Sequence, residues 1–235
     1  MTLLSIAQDI LKETKSASVP ASIIGSNEDA AKQVLEALDI AIIDVARSYD
    51  WQELQKEHTF NSVASTSTYS LPSDFDRIIN NTFWNTTQQR TVIGPSTPQE
   101  WRILNNATVT GATVNDYFRI RDDQVVIFPT PTAVEGFIFE YITNLIVDSS
   151  GGTGQTGWQA DTDVPNVDEY LVRLNATWRL LGMQGRAYAE KQREFDLALA
   201  ERVSRDGGNK TIYHTGPNDN FDRSRIGYPS LVTAP

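Results

Sequence analysis

The stretch Asp161–Leu181, DTDVPNVDEYLVRLNATWRLL, constrains the fold of this chain more than any other. A polar, proline-containing loop runs into apolar residues at helical spacing: Val167, Tyr170, Leu171, Leu174, Trp178 and Leu181. Such a stripe needs cover from another element. Asn166 is the expected N-cap, and Glu169 three residues on completes a capping-box pattern. The best partner lies far upstream. A helix starting at Ser26, with Asp29 at its third position, carries Ala31, Val34, Leu35, Leu38, Ile42, Val45 and Tyr49 on one stripe. Docking of these two distant helices makes the residues between them an insertion.

The other elements follow in chain order. Leu3–Thr14 is expected to be a first helix, with Leu3, Ile6, Ala7, Ile10 and Leu11 on one face. From Glu57 the periodicity shortens, and HTFNSVAS, STYSLPSDF and DRIINNTFWN read as short extended segments. Pro98–Leu104 has Thr97 as cap and proline at the first helical position. Tyr117–Arg121 and Gln124–Phe128 form a hairpin through Asp122–Asp123, and Gly136–Thr143 is the next strand. Ser149–Gly157 is rich in Gly, Ser and Thr and reads as an exposed flexible loop. Gly182 and Gly185 mark a break or a close helix approach, and a last helix carries Tyr188, Phe195, Leu199 and Val203. Gly207–Gly208 ends it, and the polar remainder has too few apolar residues for a core of its own.

The expected fold is therefore α+β: a helical bundle formed by the N- and C-terminal halves, with an inserted antiparallel β region and an extended C-terminal arm. Residues 1–54 and 158–207 form the bundle, 55–147 the β insertion, 148–157 the flexible loop and 208–235 the arm.

Composition narrows the chemistry. The chain has no cysteine, which removes disulfides, thiolate metal sites and cysteine nucleophiles. Thirty acidic against twenty basic residues give a formal charge of −10, which opposes tight binding to a phosphate backbone. No apolar run is long enough to span a bilayer, so no membrane partner is expected. The two histidines, His58 and His214, lack a G-x-S-x-G context, and no H-E-x-x-H occurs. Asp161 and Asp163 lack the other ligands of a calcium loop and read as acceptors at a helix start and in a loop. Asp74 and Asp76 flank Phe75 in a turn; a sugar-cleaving carboxylate pair depends on spatial spacing that sequence does not give. Arg77, Arg90, Arg119 and Arg121 fall on expected strands and read as solvated or intersubunit charges rather than DNA contacts. No catalytic, cofactor-binding or metal-ligating residue is assigned, and no cofactor is expected. Five tryptophans, a β insertion and an arm point instead to association.

Several short motifs, in order, resemble the head-to-tail adaptor (connector) proteins of tailed bacteriophages, including the tail tubular protein A type. They are Asp50–Trp51 after a long helix, Tyr69–Ser70–Leu71–Pro72–Ser73–Asp74–Phe75, Val126–Ile127–Phe128–Pro129–Thr130–Pro131, Phe139–Glu140–Tyr141, and Trp158 with Asp161–Thr162–Asp163–Val164–Pro165. They cover roughly residues 1–205, so the arm lies outside the resemblance. The resemblance implies a structural virion protein at the head-tail junction, assembled in the host cytoplasm and without enzymatic activity. It implies a homo-oligomeric ring, expected to be a dodecamer, that joins the portal protein to a tail or nozzle protein. Double-stranded DNA would pass through the channel without sequence-specific binding. The arm is expected to dock on the portal through Tyr213, His214, Phe221, Arg223, Arg225 and Tyr228. The alternative is a tail-associated receptor-binding or polysaccharide-cleaving module.

Overall fold

The computed structural model describes residues 1–16, 18–106 and 115–206. Among these residues stand five α-helices and two sheets, and the helices follow their local signals with some shifts. Helix α1 (Leu3–Glu13) is capped by Thr2, whose side chain accepts from the Ser5 N–H at 3.4 Å. Its expected face, Leu3, Ile6, Ala7, Ile10 and Leu11, is fully buried. Helix α2 (Asp29–Ser48) starts later than its Ser26 signal suggested. The Ser26 hydroxyl instead accepts from the Glu28 N–H at 3.3 Å, holding the turn before the helix. Helix α3 (Pro98–Asn106) begins with the expected cap, because Glu100 accepts from both the N–H and the hydroxyl of Thr97.

Helix α4 (Glu169–Met183) departs from expectation at its start. Its cap is Asp168, which accepts from the N–H groups of Tyr170 and Leu171 at 2.9 and 3.4 Å. Asn166 is occupied elsewhere, donating to the Leu145 carbonyl and to Asp148. The buried residues of α4 also wrap further round than a single stripe, taking in Val172, Asn175, Ala176 and Thr177, while Tyr170 is exposed. The cause is position: α4 packs against α1, α2 and α5 (Ala189–Asp206) together, so no broad face is left to water. Gly185, with φ +67°, stands just beyond the α4 C-cap and turns the chain into α5.

The large sheet contains β1 (Gln55–Asn61), β2 (Thr68–Ser70), β3 (Phe75–Ile78), β4 (Trp84–Asn85), β5 (Arg90–Ile93), β6 (Asp116–Arg121), β7 (Gln124–Phe128) and β8 (Gly136–Thr143). Its order is β1-β8-β4-β5-β6-β7-β2, with β3 pairing the far end of β8. The pair β5–β6 is parallel and the others are antiparallel. The two edges curl toward each other, bringing Phe60 of β1 within 5.0 Å of Tyr69 of β2. A three-stranded sheet, β10-β9-β11, joins β9 (Val147–Asp148), β10 (Gly154–Gln155) and β11 (Val164–Pro165), so part of the Gly-rich stretch is laddered.

These observations correct the expected fold class. The molecule is mixed α+β, built on a curled eight-stranded sheet with five helices, and it is not a bundle dominated by helices with an antiparallel insertion. The reason lies in the aromatic content of the middle region. Phe83, Phe118, Phe137, Phe139 and Tyr141 form a second core, separate from the helical one. Each such side chain is worth about 1.5–3 kcal/mol when removed from water, enough for the sheet to hold a core of its own. Strand β8 links the two cores: alternation sends Phe137, Phe139 and Tyr141 into the sheet core, while Ile142 joins Ile146 and Val147 among the helices.

Candidate assembly surfaces

Some of the motif residues, Asp50, Trp51, Asp74 and Tyr141 among them, lie at the joint between helices and sheet, whereas Tyr69 and residues 126–131 lie on the β2–β7 side, where the Tyr69 hydroxyl donates to the Thr66 carbonyl at 2.6 Å. Trp51 is buried, and its indole N–H donates to the Val45 carbonyl at 2.7 Å, occupying one of the carbonyls left open at the end of α2. Arg77 of β3 reaches back to the same helix end, pairing with Asp50 at 2.8 Å and donating to the Tyr49 carbonyl at 2.9 Å. A cation there is also favoured by the helix dipole. Asp74 accepts from Lys56 at 2.7 Å, from the Tyr141 hydroxyl at 2.9 Å and from the Thr143 hydroxyl at 2.9 Å, fastening the start of β3 to β1 and β8. Burial alone would raise the Asp74 carboxyl, but these three donors outweigh it and hold it below its ordinary value. The Tyr141 hydroxyl is pushed up to about 12 by burial and by its bond to Asp74.

The pair Asp161 and Asp163 forms a second fastening. Asp163 is buried and accepts from the N–H groups of Gln159 and Ala160, which sets the loop. The loop's own carbonyls, Asp163 and Asp161, accept from the N–H groups of Leu3 and Leu4 and so close the N-terminus of α1. The Asp161 carboxylate takes the N–H groups of Ile23 and Ile24 and the Ser22 hydroxyl. These aspartates therefore serve α1 and the segment before α2. The expected role at the start of α4 belongs to Asp168.

Most of the remaining chemical candidates among the described residues are also engaged, Arg119 being an exception. The His58 ring lies on β1 against Phe60 and Phe139, and burial lowers its pKa, with the Asp74 charge opposing. Asp76 pairs with Arg77, and Asp122 and Asp123, at φ 52° and 55°, make the hairpin turn. Arg121 pairs with Asp122, and Arg90 pairs with the buried Asp116 at 2.6 Å. A buried polar cluster that sequence reading missed surrounds that pair. Asn85 donates to Asp116 at 2.9 Å and to Glu135 at 2.7 Å, tying β4, β6 and the loop before β8 together. Its members are scattered between residues 85 and 135, and no local spacing announces them. Among the described residues, no group of three His, Asp or Glu side chains is placed to hold a metal ion.

A polar cleft of about 820 Å³ lies at the joint, lined by Glu53, Lys56, Asp148, Asn166, Asp168 and Arg202 among others. Its charges are largely paired. Arg202 meets Asp168 at 3.0 Å, pairs with Glu53, and lies over the Trp51 ring. Such an arrangement stiffens the joint; it does not present a free acid and base to a substrate.

Apolar exposure is concentrated elsewhere. Val63 and Val134 stand at the end of β1 and β8 away from the helices, on loops bound together by Ser62, whose N–H reaches the Glu135 carbonyl and whose hydroxyl reaches the Ala133 carbonyl. At about 3.3 Å per strand residue, this tip lies roughly 20 Å from the helical core. A second apolar groove, about 400 Å³, is lined by Ile93, Pro95, Ile103, Leu104 and Tyr117 beside α3. On the helices, Ile40, Ile43 and Leu197 face solvent. The expected partner-binding residues of the arm, Tyr213, His214, Phe221, Arg223, Arg225 and Tyr228, lie outside the described residues.

No curated protein matches the chain. Residues 1–218 match the SU10 adaptor protein family, so the likeness extends past the expected limit near 205 into the start of the arm. The match covers most of the sequence and includes every one of the motifs: the chain belongs to the SU10 adaptor protein family, a family of phage head-to-tail adaptors, and is a phage structural adaptor.

Proposed function

We propose that copies of this chain form a ring that joins the portal to the tail and continues the DNA channel between them. The observation that carries the reading is the family match over residues 1–218. The structure supports it in kind, because the motif carboxylates Asp50, Asp74, Asp161 and Asp163 are spent on ion pairs and hydrogen bonds that fix one segment to another or set a loop. A ring under internal pressure needs that stiffness from each subunit, and Val63, Val134 and Leu197 stay exposed away from the joint. A dodecamer is the expected closure. The net charge of −10 suits a channel wall that DNA slides past, since few phosphate contacts would form.

In this reading the tip carrying Val63 and Val134 meets the tail or nozzle protein, and the arm docks on the portal. The arm carries Tyr213, Phe221 and Tyr228 as apolar anchors and Arg223 and Arg225 as charged ones. Deleting residues 209–235 is expected to abolish capture of the chain by purified portal, with the circular dichroism spectrum and melting temperature of the remainder unchanged. Capture at full strength by the truncated chain would overturn the arm's role.

A further inference from the structure

We propose that neighbouring copies meet through α2 of one and α5 of the next, an interface that rests on the ring reading above. Helix α4 packs against both α2 and α5, so the faces these two helices turn away from α4 are solvent faces of the helical layer. On α2 that face is Glu36, Ile40, Ile43 and Arg47; on α5 it is Arg193, Leu197, Ala200 and Ser204, and all eight residues are exposed. Both strips step by four, three and four residues, the spacing that keeps one seam in line on each helix. Ile40, Ile43 and Leu197 are 37%, 39% and 63% exposed, although large aliphatic side chains usually find cover.

Direction decides how the strips face each other. Just past α2, the Gln52 N–H donates to Asp206 at 3.1 Å and Glu53 pairs with Arg202, so α2 and α5 finish at the same end of the layer. Rotation about a ring axis preserves that sense, and α2 of one copy runs alongside α5 of the next in the same direction. In this register Ile40 meets Leu197 and Ile43 meets Ala200. Glu36 faces Arg193, Lys32 lies beside Glu190, and Arg47, opposite Ser204, lies one turn from Glu201. Lys32, Glu36, Arg47, Glu190 and Arg193 have no ionic partner of their own among the described residues, while Glu201 holds Arg205. Asp39 and Asp196 fall on opposite flanks of the seam. The reverse direction would set Arg47 against Arg193. A contact between two different strips is head-to-tail, the kind that closes into rings.

The absence of cysteine allows a clean test. The double variant Ile40→Cys/Leu197→Cys, oxidised mildly in the assembled state, is expected to give a ladder of covalent multimers on a denaturing gel. Either single variant is expected to give nothing larger than a dimer. Independently, Glu36→Arg and Arg193→Glu should each lower assembly by about tenfold or more, and the double charge swap should restore it. Rings by native mass without a ladder and without rescue would overturn this interface and leave the ring reading standing. Wild-type chains that stay monomeric both alone and on the portal would overturn the ring reading itself, and this interface with it.

Discussion

Replacing Asp161 by alanine tests the fastening that ties the loop before α4 to the segment before α2. The carboxylate accepts three hydrogen bonds, from Ser22 Oγ at 2.7 Å, Ile24 N at 2.8 Å and Ile23 N at 3.1 Å. Each is worth about 1 kcal/mol net; the charge on the acceptor raises that figure and partial solvent exposure lowers it. The loss is then about 2–3 kcal/mol. For a chain of this size each kcal/mol moves the melting temperature by about 2–4 °C, so a fall of about 5–10 °C is expected. Acid should erase the difference. Burial raises the Asp161 carboxyl, but the Ile24 N–H, the Ser22 hydroxyl and the Ile23 N–H outweigh it and hold it below 3.8. A depressed carboxyl contributes stability that is fully present above its unfolded value and is lost as pH falls through its lower folded value. The gap between wild type and variant should therefore be full at pH 7 and close as the pH drops below 3.8. Thermal melts followed by tryptophan fluorescence at both extremes measure it. A variant melting within a degree of wild type at pH 7 would overturn this role of the carboxylate. So would a calcium-dependent rise in wild-type melting temperature that the variant lacks, because the carboxylate would then be a ligand rather than a backbone acceptor.

Other perturbations probe the joint and the surfaces. Trp51→Phe removes the bond to the Val45 carbonyl and leaves a gap in a filled site, and urea unfolding should show a loss of about 2–3 kcal/mol. Arg77→Met should cost about 1–3 kcal/mol by the same measurement, because the Tyr49 carbonyl and Asp50 lose their donor. Gly94→Ala should reduce the yield of folded protein sharply. At φ +156° its new Cβ would stand 2.5 Å from the Phe118 carbonyl oxygen, a backbone atom with no room to yield. Val63→Ser/Val134→Ser should leave unfolding within about 0.5 kcal/mol of wild type while weakening binding to the tail protein in a pull-down.

What could be read from sequence followed how local the physics was. The α1 face and the hairpin from Tyr117 to Phe128 were legible because periodicity and turn chemistry act within a few residues. The start of α4 was misplaced because Asn166 and Asp168 are both good caps, and the choice was made by Asp148, which engages Asn166 from outside the local segment. Helical spacing places Tyr170 on the buried stripe because a stripe presumes one partner; α4 has three, and its buried surface is set by them. The parallel pairing of β5 with β6 and the curl that brings Phe60 to Tyr69 depend on contacts between separate segments, so the sheet's dominance was invisible. The Gly-rich stretch was read by composition alone, whereas its Gly154–Gln155 ladder exists because β9 is at hand to pair with it. The cluster of Asn85, Arg90, Asp116 and Glu135 had no signal at all, being assembled only when the sheet closes.

In the proposed ring, copies of this chain associate with one another at a fixed geometry. Native mass measurement of the purified 26.2 kDa chain, alone and mixed with portal, counts those copies. A portal complex carrying a closed set of copies, with twelve as the expected number, is the expected outcome. One copy or three copies at saturating concentration would rule the ring out.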